Sequence, residues 1–337
     1  MPRNKETILV VGGAGYIGSH MVDALMRQGY NVIVFDNLST GHREAVLGAI
    51  FIQGDLSDTV LLNSIFNQYA IDAVMHFAAS IEVVESIDYP QRYYHNNLIN
   101  TLHLLDAMLT HSVKLIIFSS TAAVYGEPCY LPVDEAHPKM PVNPYGRSKW
   151  MIEQILQDYA QAYGLKSISL RYFNAAGADP LGVLGPRYSK ITHLILLALS
   201  VARGFCDHID IFGDDYDTSD GTCVRDYIHV VDVCNLHLLA LDSLLKGAPH
   251  SAAYNVGSGR GYSVSQVLEV ARFVTGQAIP SQIKPRRAGD AAVLVANTSL
   301  AQHTLGWTPL YPSLEKMIED TWKFIHKRQR IAHAQSV

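Results

Sequence analysis

The chain has 337 residues, of which 48% are hydrophobic and 17% are charged, and its formal net charge at pH 7 is −5. This composition predicts one large or two modest globular domains with a sizeable core, and it argues against intrinsic disorder. The mildly acidic balance and the lack of a long basic run argue against nucleic acid binding. The longest uninterrupted apolar stretch, "LILLALSVA", is too short to cross a bilayer, so no membrane partner is expected.

The first half of the chain alternates short apolar runs with helical patterns. The predicted strands cover residues 7–11, 31–35, 73–77, 114–120 and 166–173. Continuous apolar strands separated by helices are typical of a parallel sheet that is covered on both faces. The sequence therefore predicts an α/β protein with a doubly wound parallel sheet.

The pattern changes after about residue 176, where Gly and Pro become frequent in "NAAGADPLGVLGP". We expect residues 1–175 to form one domain and residues 176–337 to form a smaller C-terminal α/β domain. Segments within about 225–260, above all "SAAYNVGSG", are expected to return to the first sheet. The basic segment "KFIHKRQR" near the end of the chain is interpreted as a solvated helix.

A glycine-rich turn follows the first predicted strand, where Gly12, Gly15 and Gly18 give the spacing G-x-x-G-x-x-G. Such a turn lets the backbone approach a pyrophosphate, which the N–H groups and the dipole of the following helix then bind. Asp36 ends the second strand, 21 residues after Gly15. A carboxylate there can bind both ribose hydroxyls of adenosine and repels a 2′-phosphate. The pattern predicts a Rossmann-type site for NAD rather than NADP.

Asp55 follows the third apolar run and has two open interpretations: an adenine contact or a helix cap. The four cysteines (Cys129, Cys206, Cys223 and Cys234) form neither a CxxC pair nor a zinc spacing. Reduced structural thiols are typical of a reducing compartment. Because no signal peptide is recognisable either, we expect a cytoplasmic protein without a bound metal.

A candidate proton-transferring pair lies in "PVNPYGRSKWMIEQIL". Tyr145 and Lys149 are four residues apart and share one helical face, with Asn143 as a candidate cap and Pro144 in the first turn. An ammonium beside a phenol favours the phenolate and lowers the phenol pKa. The predicted strand that ends in "FSST" brings the hydroxyls of residues 119–121 to the same edge of the sheet. Thr121 can therefore share a hydrogen bond with a substrate hydroxyl.

These motifs appear together with others along almost the whole chain: "GGAGYIGSH", "DNLSTGH", "HFAA", "FSSTAAVYG", "PYGRSK", "RYFNAAGA", "CVRDYIHVVD", "YNVGSG" and "PRRAGD". In this order they resemble the extended short-chain dehydrogenase/reductase superfamily and, within it, the UDP-glucose (UDP-galactose) 4-epimerase family. The resemblance implies an NAD-binding Rossmann domain and a smaller domain that binds a UDP-sugar. It also implies a homodimer formed through helices near residues 96–111 and 146–162.

The resemblance implies a role for individual residues. Tyr145 is the catalytic base, Lys149 its activator and nicotinamide-ribose partner, and Thr121 the partner of the reacting hydroxyl. The implied NAD contacts are Gly12, Gly15, Tyr16, Ile17, Asp36, Asn37, Ser39, Asp55, Leu56, Phe77, Ala78, Asn96, Ser119, Lys149 and Tyr172. The implied UDP-sugar contacts are Thr121, Tyr145, Asn174, His193, Leu194, Phe212, Arg225, Arg287, Asp290 and Leu294.

The mechanism implied is oxidation of the sugar at C4, rotation of the 4-keto sugar in the pocket, and return of hydride to its other face. The chain departs from well-known family members at four places. Leu294 occupies the gating position, where family members have a Tyr or a Cys. Ile81 stands where some members have a lysine near the nicotinamide, and Cys223 occupies a position that is often Gly. The segment 185–192 lacks the usual acidic residues, which affects the expected uracil contacts.

Three alternatives remain at this stage. A 4-epimerase that prefers a UDP-N-acetylhexosamine or a UDP-pentose is compatible with Leu294. A nucleotide-sugar 4,6-dehydratase would need an acid and a base after Thr121, where this chain has Ala122 and Ala123. A non-catalytic NAD-binding protein could lose Tyr145 or Lys149, and both are present.

Overall fold

The computed structural model describes residues 5–187, 191–247, 251–287 and 289–334. The strands, numbered in chain order, are β1 (Thr7–Val11), β2 (Asn31–Asp36), β3 (Ile50–Gln53), β4 (Ala73–His76), β5 (Leu115–Thr121), β6 (Lys166–Tyr172), β7 (Asn174–Ala176), β8 (Ile209–Phe212), β9 (Val224–His229), β10 (Ser251–Val256), β11 (Gly261–Ser263), β12 (Ser281–Lys284) and β13 (Val293–Leu294). All five strands predicted from the sequence are present within one residue at either end.

The helices connect these strands. They are α1 (Tyr16–Arg27), α2 (Thr59–Gln68), α3 (Val83–Asp88), α4 (Pro90–Tyr93), α5 (Asn100–Thr110), α6 (Pro144–Tyr163), α7 (Leu194–Ala202), α8 (Val230–Leu245), α9 (Val264–Thr275), α10 (Ser299–Leu305) and α11 (Leu314–Ala334). A π-helical turn, Tyr94–Ile99, joins α4 to α5, and 3-10 turns cover Arg43–Ala45 and Ala122–Val124. Within the described part of the chain, no helix is long and apolar enough to span a membrane.

Seven parallel strands form the larger sheet in the order β10-β6-β5-β4-β1-β2-β3. Side chains alternate between its two faces, as the strand period requires. Ile8 and Val10 therefore pack into the hydrophobic layer against α1 and α8, while Leu9 and Val11 pack into the opposite layer against α2 and α5. The predicted α/β fold with a doubly wound parallel sheet is confirmed.

A four-stranded sheet (β11-β9-β13, with β7 beside β9) and the pair β8–β12 form the remainder, together with α7, α9 and α11. Only the part of residues 225–260 that follows residue 229 packs with the larger sheet. β10 pairs with β6 in the larger sheet and α8 packs on α1, whereas β9 belongs to the smaller sheet. The division of the chain near residue 176 stays a prediction.

The helix that carries the candidate pair begins as its sequence indicates. The Asn143 side chain accepts a hydrogen bond from the Gly146 N–H at 2.8 Å, and Pro144 is the first helical residue. Gly164 ends α6 in the left-handed conformation with φ 69°. The cap fixes where the helix starts, and the start places Tyr145 in the first turn, facing the end of β5.

Candidate active site

The glycine-rich turn connects β1 to α1, and its three glycines have different functions. Gly12 has φ +80°, and a Cβ there would lie 2.5 Å from the Ala78 backbone nitrogen. A Cβ on Gly18 would collide with the carbonyl oxygen of Gly12. Gly15, by contrast, lies open to the cleft as the N-terminal boundary of α1, and among the described residues no side chain caps this helix. The turn therefore directs the start of α1 at the cleft, where the helix dipole favours a pyrophosphate.

Asp36 lies at the end of β2 with its carboxylate held by two backbone groups. One oxygen accepts from the Ala14 N–H at 2.9 Å, and the other accepts from the Leu38 N–H at 2.8 Å. Burial raises the pKa of this carboxyl, although the two hydrogen bonds oppose the shift. Each oxygen keeps a second lone pair, so the carboxylate can still accept from two ribose hydroxyls.

The helix-cap interpretation of Asp55 is wrong, because Asp58 caps α2 by accepting from the Leu61 N–H at 2.9 Å. The Asp55 carboxylate lines the cleft and accepts from the Asn37 side-chain amide at 2.6 Å and from the Ser57 N–H at 2.9 Å. It is thus fixed in the cavity that Asp36 and Asn37 also line, and an adenine contact stays a prediction.

Lys149 is buried and lies at the end of β5. Its ammonium donates to the Ser119 carbonyl oxygen at 2.8 Å and stands 4.7 Å from the centre of the Phe118 ring. Burial lowers the Lys149 pKa to about 7, although Glu153 opposes the shift. The ammonium is therefore directed at the backbone of β5.

The phenol of Tyr145 faces the cleft and is hydrogen-bonded to the Thr121 hydroxyl. Its pKa is raised, first by burial and also by the negative charge of Glu82, while the Thr121 hydrogen bond lowers it. The sequence predicts that Lys149 lowers the pKa of Tyr145. The structure shows the opposite direction, because the Lys149 ammonium donates to the Ser119 carbonyl instead of to the phenol. The role of Lys149 as an activator stays a proposal.

A buried ionic network lies directly behind this strand end. Arg171 on β6 binds the Glu153 carboxylate through two nitrogens, with one N···O distance of 2.6 Å, and donates to the Tyr125 hydroxyl at 2.9 Å. Ser120 also donates to Glu153. Tyr125 in turn donates to Asn255 on β10 at 2.6 Å. The network therefore ties α6, β5, β6 and β10 together below the reacting groups.

The candidate residues line one continuous cleft of three connected cavities. The first is lined by Gly12, Gly15, Asp36, Asn37, Ser39, Asp55, Leu56, Phe77, Ala78 and Asn96. The second is lined by Gly12, Gly15, Tyr16, Ile17, Phe77, Ser119, Thr121, Tyr145, Lys149, Tyr172, Asn174, His193, Arg225, Asp290 and Leu294. The third is lined by Tyr16, Asn174, His193, Leu194, Phe212, Arg225, Arg287 and Asp290. The structure thus brings every candidate site residue into this cleft.

Two arginines mark the third cavity. The Arg225 guanidinium donates to the Ala291 carbonyl at 2.8 Å and forms an ion pair with Asp290 at 3.3 Å. The Arg287 guanidinium stacks on the Phe212 ring, 3.8 Å from its centre. Both are planar cations with donors left for further acceptors, as a diphosphate requires.

Several polar residues of the cleft carry no recognisable signal in the sequence. Thr40, Ser80, Glu82 and Asn100 line the first cavity, and Thr192 lines the third. Glu82 is the exception, because an acidic residue within the apolar run "IEVV" indicates a special environment. Of the departures noted above, Ile81 lies where the first two cavities meet and Cys223 lines the third, whereas residues 188–190 lie outside the described residues.

The residues present fit NAD. The cleft contains an uncapped helix start for the pyrophosphate at Gly15, a fixed carboxylate for the ribose at Asp36, and a buried amine at Lys149. Asp36 lines the first cavity, Lys149 lines the second, and Gly15 lies between them because it lines both.

Comparison with known proteins gives concordant matches. Residues 8–257 match the model of the NAD dependent epimerase/dehydratase family. The chain is 52% identical over 320 residues to the UDP-glucose 4-epimerase of Halalkalibacterium halodurans, with 95% of each chain covered. The UDP-glucose 4-epimerase of Brucella ovis in complex with NAD superposes with a TM-score of 0.92 at 45% identity, covering 95% of this chain and 98% of that one. The Bifidobacterium longum enzyme in complex with NAD+ and UDP superposes with a TM-score of 0.91 at 40% identity, covering 96% and 99%.

Proposed function

Because the chain belongs to the NAD dependent epimerase/dehydratase family, we infer that it is an isomerase that converts UDP-glucose and UDP-galactose into one another with NAD as its cofactor. The observation that carries this inference is the continuity of the cleft. Tyr145 and Thr121 line the second cavity, which shares Gly12 and Gly15 with the first cavity and Arg225 with the third. A dinucleotide on one side and a UDP-sugar on the other would therefore meet at this phenol.

NAD would lie along the glycine-rich turn, with Asp36 at the adenosine ribose and Lys149 at the nicotinamide ribose. When bound, it supplies a reversible hydride acceptor. The protein's own residues orient the sugar and move the proton. Tyr145 takes the proton from the sugar 4-hydroxyl and later returns it, and Thr121 donates to the Tyr145 oxygen and favours the phenolate.

Arg225 and Arg287 would bind the diphosphate of the substrate, since guanidinium groups match phosphate oxygens in charge and geometry. Asn174, at the start of β7, donates its side-chain amide to the Asp226 carbonyl at 2.8 Å and so is fixed beside the sugar cavity. Ala122 and Ala123 line the same cavity and carry no acid or base. This composition favours epimerisation over loss of water.

A substrate panel tests the function. The purified protein would be incubated with UDP-galactose, UDP-N-acetylgalactosamine and a UDP-pentose, and the products would be separated by chromatography. We expect interconversion of UDP-galactose and UDP-glucose without a dehydrated product. If the protein converted none of the three substrates, the assignment would be overturned.

Leu294 is expected to limit the size of the sugar that reacts. It lies on β13, half-buried against the small cluster around Val124 and Val133, and lines the sugar cavity. Leu294→Ala should raise kcat/KM for UDP-N-acetylgalactosamine relative to UDP-galactose by about tenfold, because it removes bulk from this wall. Val293→Ala is the control, since neighbouring strand residues face opposite sides. Equal changes in both variants would contradict a role of Leu294 in specificity.

We further propose a cytoplasmic homodimer. All four cysteines are free thiols, which supports a reducing compartment. Ile99, just before α5, and Met151, on α6, are exposed apolar residues in the two regions expected at the dimer interface. Sedimentation equilibrium of the purified protein measures its mass in solution, and a monomer at micromolar concentration would contradict the dimer.

A further inference from the structure

Glu82 lies in the loop between β4 and α3, and its backbone is fixed from two sides. Its carbonyl oxygen accepts from the Ser86 N–H at 3.0 Å and from the Tyr93 hydroxyl at 2.7 Å. Glu82 is the N-terminal boundary residue of α3, yet its side chain does not cap that helix. The carboxylate is directed across the cleft instead.

The carboxylate connects the two halves of the cleft. Its Oε1 accepts a hydrogen bond from the Thr192 hydroxyl at 3.1 Å, across 110 positions of sequence. Thr192 lies immediately before His193 and α7 and lines the third cavity. One side chain of the loop after β4 therefore contacts the segment that carries two of the residues lining the UDP-sugar cavities.

The same carboxylate acts electrostatically on the site. It raises the pKa of Tyr145 in addition to burial. The other groups that face Tyr145 are the Thr121 hydroxyl from β5 and Tyr172 from β6, while Lys149 on the same helix is bound to Ser119. Arg225, His193 and Asp290 line the same cavity as Tyr145.

Ile81 and Val83, the chain neighbours of Glu82, line the second cavity together with Tyr145. We propose that Glu82 is a positioning residue for the reaction: it fixes the Thr192–His193 segment over the substrate and supplies a negative charge that acts on the reacting phenol. The proposal rests on the proposed function. The charge makes the Tyr145 phenolate a stronger base but scarcer at neutral pH. A group that must both take and return one proton works best when these two effects are balanced.

Two variants separate the hydrogen bond from the charge. Glu82→Gln keeps an acceptor for Thr192 but removes the charge. Its kcat/KM for UDP-galactose should be about threefold higher than that of the wild type at about pH 6, because the acidic limb of the pH profile moves down by about half a unit. At higher pH, where kcat/KM no longer depends on pH, the ratio of the variant's kcat/KM to that of the wild type should approach one. Thr192→Val keeps the charge of Glu82 but removes the hydrogen bond to it. This variant should raise KM about threefold to tenfold and leave the pH dependence of kcat/KM unchanged.

Asp88→Asn is the matched control, because Asp88 is exposed at the end of α3 and the substitution also replaces an acid by its amide. It should leave the pH profile unchanged. A ratio of one at every pH for Glu82→Gln, or an equal rise in Asp88→Asn, would overturn the charge part of the proposal. Unchanged UDP affinity of Thr192→Val by calorimetry, together with an unchanged KM, would overturn the positioning part. Failure of the proposed function is distinct, because the wild type would then convert no UDP-sugar.

Discussion

Replacing Tyr145 with Phe is expected to reduce turnover of UDP-galactose by about 10²- to 10⁴-fold, the contribution typical of a positioned general acid–base group. The phenylalanine ring fills the same space beside Thr121 but cannot accept the proton of the 4-hydroxyl. NAD should stay bound, because the glycine-rich turn, Asp36 and Lys149 are unchanged. The measurement is steady-state turnover together with the NAD content of the purified variant.

Tyr163→Phe is the control for this substitution. Tyr163 is the last residue of α6, is 52% exposed and lies outside the cleft, so removal of its hydroxyl should leave turnover unchanged. Near-normal turnover in Tyr145→Phe would show that another group takes the proton. Loss of NAD from the variant would instead assign Tyr145 a role in binding.

The second large effect is expected on stability. Glu153→Gln should lower the free energy of unfolding by about 3–5 kcal/mol, because it leaves the buried Arg171 guanidinium without a counter-charge. The side chains of Glu153 and Arg171 are only 2% and 3% exposed, so water cannot solvate the Arg171 guanidinium once the carboxylate is gone. Urea unfolding of the wild type and the variant, followed by circular dichroism, measures the difference.

Asp242→Asn provides a matched acid-to-amide control. Asp242 forms an ion pair with Lys246 at 2.6 Å on the surface of α8, and both side chains are more than half exposed. Exposed pairs of this kind contribute less than about 1 kcal/mol. If Glu153→Gln destabilised the protein no more than Asp242→Asn, the buried pair would not stabilise the strand end behind Ser120.

Much of the fold followed from local patterns. The apolar runs indicated the positions of β1, β2, β4 and the first half of β5, because a strand that is buried on both faces is mostly apolar. β6 is equally buried but carries polar residues at Ser167, Ser169 and Arg171. Asn143 and Pro144 determined the start of α6 through the unpaired N–H groups of its first turn. The glycine spacing predicted the turn before α1, where the structure leaves no space for a Cβ at Gly12 or Gly18.

Other features depend on contacts between distant segments. Membership of β9 in the smaller sheet and of β10 in the larger one is decided by strand pairing, which short apolar runs do not specify. Asp55 and Asp58 are both suitable caps by residue type, and only the fold shows that Asp58 caps α2.

The sequence alone determined which residues can carry the chemistry: a phenol and an amine four residues apart, an acid at the end of β2, and arginines for a diphosphate. The tertiary structure alone decided how these groups are tuned. It directs the Lys149 amine to the Ser119 carbonyl, half-buries the Tyr145 phenol at the cleft, and brings Glu82 to Thr192. The physical reason is that a pKa depends on burial and on charges across the cleft, which neighbours along the chain do not reveal.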